Sequence, residues 1–146
     1  MLESILKSQN QNTDPWSNQQ HDEINFDPAR LPMKTEESLL KIEEELRDNH
    51  SKNNMVNYLS KIGENSINDM TKRIMRRLIG DELAKDYSWF GAKGKKQFSI
   101  LQSARVLEKA VKMGFQEATE KTIEEATKNW LRHAPERQTG KQKRFL

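Results

Sequence analysis

A chain of 146 residues, 34% hydrophobic and 32% charged, has room for one domain with a small core and some polar flank. It holds no cysteine, which excludes disulfides, iron–sulfur clusters and thiolate zinc sites. The net charge is only +3, but residues 64–146 hold 18 basic and 11 acidic side chains while residues 1–63 are acidic, so a polyanionic partner is expected for the C-terminal half.

Residues 1–34, with "SQNQNTDPWSNQQHDEINFDPARLP", are rich in Gln, Asn, Asp and Pro and show no sustained apolar period. They read as a disordered polar arm, with Trp16 and Phe26 as isolated apolar residues. The opening "MLESILKSQNQ" lacks the basic start and apolar centre of a secretory signal. No apolar run reaches the roughly 18–20 residues of a membrane span, so a soluble, intracellular protein with no membrane partner is expected.

Helical patterns follow. Thr35 suits an N-cap, Glu36 and Glu37 suit the first turn, and Leu39, Ile42 and Leu46 form one apolar row. Ser51 is placed at the start of a second helix carrying Met55, Leu59 and Ile62, with Gly63 as a left-handed stop. Ser66 and Asp69 have capping-box spacing ahead of Ile67, Met70, Ile74 and Leu78, and Gly80 ends that helix. Asp81 caps a short turn through Leu83, Ala84 and Tyr87. Beyond the loop "SWFGAKGKKQF", Leu101–Met113 carries Leu107, Ala110 and Val111, and Gly114 stops it. Thr122 and Glu125 match a capping box for a last helix burying Ile123, Ala126, Trp130 and Ala134, with Pro135 at its end. No segment alternates with period two. The expected fold is all-α, a compact bundle of about five helices over residues 35–137, followed by a short basic tail, 138–146.

The loop at 88–98 is not a nucleotide loop, because Gly91 and Gly94 are three apart, Lys96 stands where Ser or Thr belongs, and no strand precedes it. His21, His50 and His133 are scattered outside any metal-ligand spacing, and carboxylate pairs such as Glu43–Glu44 read as solvated, so neither an enzyme nor a metal or cofactor site is expected. Nucleic-acid binding remains. Lys72, Arg73, Arg76 and Arg77 form a basic face on the third helix. Lys93, Lys95 and Lys96 stand beside backbone amides that glycine leaves open to phosphate oxygens. The last helix carries Lys128, Asn129, Arg132 and His133, and Arg137 follows. Asn and Arg are able to read adenine or guanine edges bidentately. Either Trp89 or Phe90 is expected to plug the core, and Trp130 is read as a core anchor.

The run "RRLIGDELAKDYSWFGAKGKKQFSILQSARVLEKAVKMGF" with "IEEATKNWLRHAPER" resembles a family of uncharacterised domains in invertebrate, often transposon-associated, proteins, over roughly residues 31–137. Part of it also resembles the BEN domain, an all-α module of chromatin and transcription-repressor proteins. The shared plan is Leu78 with "DEL" at 81–83, Gly91, Gly94-Lys95, a long helix and a basic last helix. The resemblance implies double-stranded DNA as partner, contacted by Asn129, Arg132, His133 and Arg137 with Lys93, Lys95 and Lys96 on the backbone, in a nuclear setting. It also implies protein partners or self-association as the alternative. The ending "NWLRHAPER" departs from the BEN pattern in being less basic and in carrying Pro135.

Overall fold

The structure, a computed structural model, describes residues 27–145, with side chains through Gly140. Trp16, Phe26 and the expected disorder of residues 1–26 lie outside the described residues. The fold is all-α. After a 3₁₀ turn at Pro28–Arg30 come α1 (Glu36–Glu45), α2 (Asn49–Ser60), α3 (Ile67–Leu78), the one-turn α4 (Asp81–Ala84), α5 (Gln102–Gly114), α6 (Glu120–Arg132) and α7 (Ala134–Phe145). Two-residue strands β1 (Tyr87–Ser88) and β2 (Lys96–Gln97) pair in parallel between α4 and α5.

Helix α2 packs on α5, α3 on both α5 and α6, and α4 on α7. The apolar rows read from the sequence meet in one core, where Leu39, Leu59, Ile74, Leu78, Leu107, Val111 and Ile123 are all fully buried. Burying a side chain of this kind contributes about 1.5–3 kcal/mol, so these rows outweigh any surface ion pair. Two threonines share the core, and each hydroxyl donates to the carbonyl four residues back: Thr71 to Ile67 at 2.8 Å and Thr127 to Ile123 at 2.7 Å.

The caps follow the sequence at α1 and α3, where Thr35 accepts from the Ser38 amide and Ser66 from the Asp69 amide, both at 3.1 Å. Two starts differ. Helix α2 is capped by Asp48, which accepts from the Ser51 amide, so Ser51 lies inside the helix. Helix α6 is capped by Thr119, which accepts from the Thr122 amide at 3.1 Å; Thr122 is a first-turn residue. In both, an earlier oxygen stands three residues before a free amide and takes the bond first. Gly63 also differs, since the left-handed glycines among the described residues are Gly91 and Gly94.

The domain is wider than 35–137. Leu31 and Met33 are buried, and Met33 both donates to the Leu78 carbonyl at 2.9 Å and accepts from the Gly80 amide at 2.8 Å. Residues 27–34 therefore strap the end of α3, because two apolar side chains at i and i+2 pin an extended segment to the core. Arg30 adds a bidentate pair to Glu45 at 2.6 and 2.9 Å. At the other end, residues 138–145 continue α7. Helix α6 ends at Arg132 just before Pro135, as expected, and Pro135 then sits in the first turn of α7, where a missing N–H costs nothing.

Glu43 is also not a solvated surface carboxylate. It reaches from α1 to the N-terminus of α5, accepting from the Gln102 amide at 2.7 Å, the Ser103 amide at 2.8 Å and the Ser103 hydroxyl at 2.8 Å. Leu101, the N-cap residue there, has no side chain able to cap, and the carboxylate of another helix takes that role.

Candidate nucleic-acid interface

The loop from Ser88 to Phe98 is built to bury two aromatics and display a third. Trp89 is 6% exposed and Phe98 fully buried, with ring centroids 6.2 Å apart, and Tyr87 meets the Phe98 ring edge-on at 6.5 Å. Trp89 is thus the core plug. Phe90, next to it, is 63% exposed.

Gly91 turns the chain away at φ 79°, and a Cβ there would lie 3.2 Å from the Lys95 carbonyl oxygen and 3.3 Å from the Gln97 Cβ. Lys93 and Gly94 are both left-handed, at φ 59° and 77°, and the Lys95 amide donates back to the Ala92 carbonyl at 3.1 Å. Two consecutive positive-φ residues under an i to i+3 bond make a type I′ turn, which places Lys93 at an exposed tip. Three of the amides beside these lysines are already taken by the loop itself. Those of Ala92, Lys95 and Lys96 donate to the Ser88 hydroxyl, the Ala92 carbonyl and the Asp86 carbonyl.

This loop and the C-terminal half of α6 enclose a groove of roughly 290 Å³. Tyr87, Trp89, Phe90 and Leu131 give it apolar walls, and Lys93, Lys95, Lys128 and Arg132 stand around it. Four of the eight residues expected to bind nucleic acid therefore converge, from segments more than thirty residues apart. Lys128 is partly neutralised: its ammonium lies 2.8 Å from Glu124 and 5.0 Å above the Phe90 ring, and the hydrogen bond it donates to Glu124 holds its pKa above the ordinary lysine value. Lys93, Lys95 and Arg132 make no ion pair among the described residues.

The other four residues lie elsewhere. Lys96 points to Glu36 at 3.1 Å, over Tyr87, whose phenol is pushed up from its ordinary pKa by burial and by Glu36. The Asn129 amide oxygen accepts from Lys72 at 2.7 Å, tying α6 to α3. His133 meets Glu136 at 3.0 Å. Arg137 is an internal strut. Its Nε donates to Asp81 at 2.9 Å, its Nη1 to the Trp130 carbonyl at 3.0 Å, and its guanidinium lies 3.9 Å above the buried Trp130 ring. A base-reading role for Arg137 would require breaking all three contacts. On the α3 face, Arg73 pairs with Glu64 at 2.7 Å, while Arg76 and Arg77 are exposed, outside the groove lining.

The sequence reading missed Phe90 and Leu131 as parts of the site. The signal for Phe90 was present in "WFG", since two adjacent aromatics on an extended segment point to opposite sides. Which side is inside depends on where α6 packs.

Among the described residues no helix is long and apolar enough to cross a membrane. A search of curated proteins and one of solved structures each give no match to the chain. The profile of a family described as "Domain of unknown function (DUF4806)" matches residues 25–116, which spans the 27–34 strap, α1–α5 and the loop with Lys93 and Lys95, and stops before α6. With more than half of its length matched, the chain belongs to the DUF4806 family.

Proposed function

We propose that this domain binds DNA, with the groove between the 88–96 loop and α6 as its contact surface, in a chromatin-associated or transposon-derived nuclear protein. The observation that supports this reading is the convergence of Lys93, Lys95, Lys128 and Arg132 on one groove, three of them with no acidic partner among the described residues. A cluster of unneutralised cations costs folding free energy through mutual repulsion, and a polyanion relieves it. The resemblance to the BEN domain agrees in placing the loop and the last helix together. The role is binding, not catalysis.

The test is fluorescence anisotropy with labelled DNA at several salt concentrations. Three to four neutralised phosphates give a log–log salt slope of about −3. Replacing Lys93, Lys95 and Arg132 together by Gln flattens that slope and lowers affinity at low salt. A folded protein that fails to bind at low salt refutes the proposal. The second reading is a protein-interaction or dimerisation module, favoured by Leu40 and Ile100, two large apolar side chains that are more than half exposed. A partner held equally at high salt would decide for it.

A further inference from the structure

The groove's cations account for an anion, but not for Phe90. A phenylalanine more than half exposed, in a loop whose neighbouring aromatics are buried, contributes little to the core and presents a fixed apolar face beside the charged rim. Its position is not loose. Trp89 is held in the core on one side, Gly91 has little room to change on the other, and the 92–95 turn closes behind it. Lys128, 5.0 Å above the ring, marks it as a π-surface already in use toward a cation.

We infer that Phe90 is a stacking platform for an unpaired base, so the ligand of this groove is single-stranded DNA or a locally opened duplex. The inference rests on the DNA-binding reading above and deepens it. In an intact duplex the base faces are covered by their neighbours, and base edges, sugars and phosphates meet the protein. Phe90 then has nothing to receive. A single strand offers base faces and phosphates in alternation, which matches an apolar wall bordered by Lys93, Lys95 and Arg132. An acidic peptide with an aromatic side chain would satisfy the same charges. The separate ammonium groups of Lys93 and Lys95 suit a repeating backbone charge better than one fixed carboxylate.

The experiment uses the full chain with a fluorescein-labelled 15-nucleotide single strand and the matched duplex, at equal salt. The wild-type protein is expected to bind the single strand at least about tenfold more tightly than the duplex. Phe90→Ala loses about tenfold on the single strand and stays within about twofold on the duplex, because base–aromatic stacking is worth about 1–3 kcal/mol per base. Phe90→Tyr restores most of the single-strand affinity, which separates stacking from a change in loop structure. Equal loss on both DNA forms, or no loss on the single strand, overturns the stacking role while leaving DNA binding standing. Absence of binding to either form sinks the DNA reading itself, and the inference with it.

Discussion

Arg137→Ala separates a structural arginine from a DNA-reading one. Asp81 is almost fully buried, and Arg137 is about one-quarter exposed. The charged hydrogen bond to Asp81 is worth about 1.5–3 kcal/mol, the bond to the Trp130 carbonyl about 1 kcal/mol, and the contact with the Trp130 ring about 0.5–1 kcal/mol. Arg137 Nη2 is buried without a partner and the side chain retains some water contact, so the lower end of that range applies. The expected loss is about 3 kcal/mol, which lowers Tm by about 12 °C for a domain of this size. Urea and thermal unfolding followed by far-UV circular dichroism measure it directly. A double-mutant cycle with Asp81→Ala should return a coupling of about 1–2 kcal/mol, since each substitution removes the same bond. Arg137→Lys should recover less than half, because an ammonium cannot make both hydrogen bonds and lie flat on the ring. If Arg137→Ala unfolds within 0.5 kcal/mol of the wild type and weakens DNA binding, the strut is wrong and Arg137 belongs to the interface.

Three further outcomes are expected. Gly91→Ala, at positive φ with a carbonyl oxygen 3.2 Å from the new Cβ, should cost about 1–2 kcal/mol and shift the Phe90 loop, seen as altered amide signals at 88–97 by NMR. Glu43→Ala should cost about 2 kcal/mol by removing the acceptor for two amides of α5, with hydrogen exchange accelerated first at Gln102 and Ser103. The Arg30 guanidinium holds the Glu45 carboxyl below its ordinary range, so this pair adds stability at neutral pH that is lost as pH falls through the folded-state pKa, below 4.5. Glu45→Gln should flatten the acid limb of the stability–pH curve and leave the region above pH 6 nearly level, as read by urea midpoints across pH.

Periodicity determined α1, α2, α3, α5 and α6, though not α7. Leu39–Ile42–Leu46 and Ile67–Met70–Ile74–Leu78 place their apolar atoms on one side of a 3.6-residue helix, so burial and helix formation require the same thing. The caps Thr35 and Ser66 were equally legible, because a cap acts on an amide three residues away. Side chains acting across the fold were not. Glu43 reads as one more surface acid until α5 arrives beside it, and Arg137 reads as one more surface base until Asp81 and Trp130 close around it. A charge in a sequence does not say whether water or a carboxylate will neutralise it. For the same reason the eight candidate cations and amides divided into two groups only when the chain folded. Lys93, Lys95, Lys128 and Arg132 came to one groove, while Lys96, Asn129, His133 and Arg137 found partners elsewhere. Trp89 and Phe90 show the same limit. The sequence put two aromatics side by side, and tertiary packing decided that Trp89 is buried against Phe98 while Phe90 stands exposed at the groove.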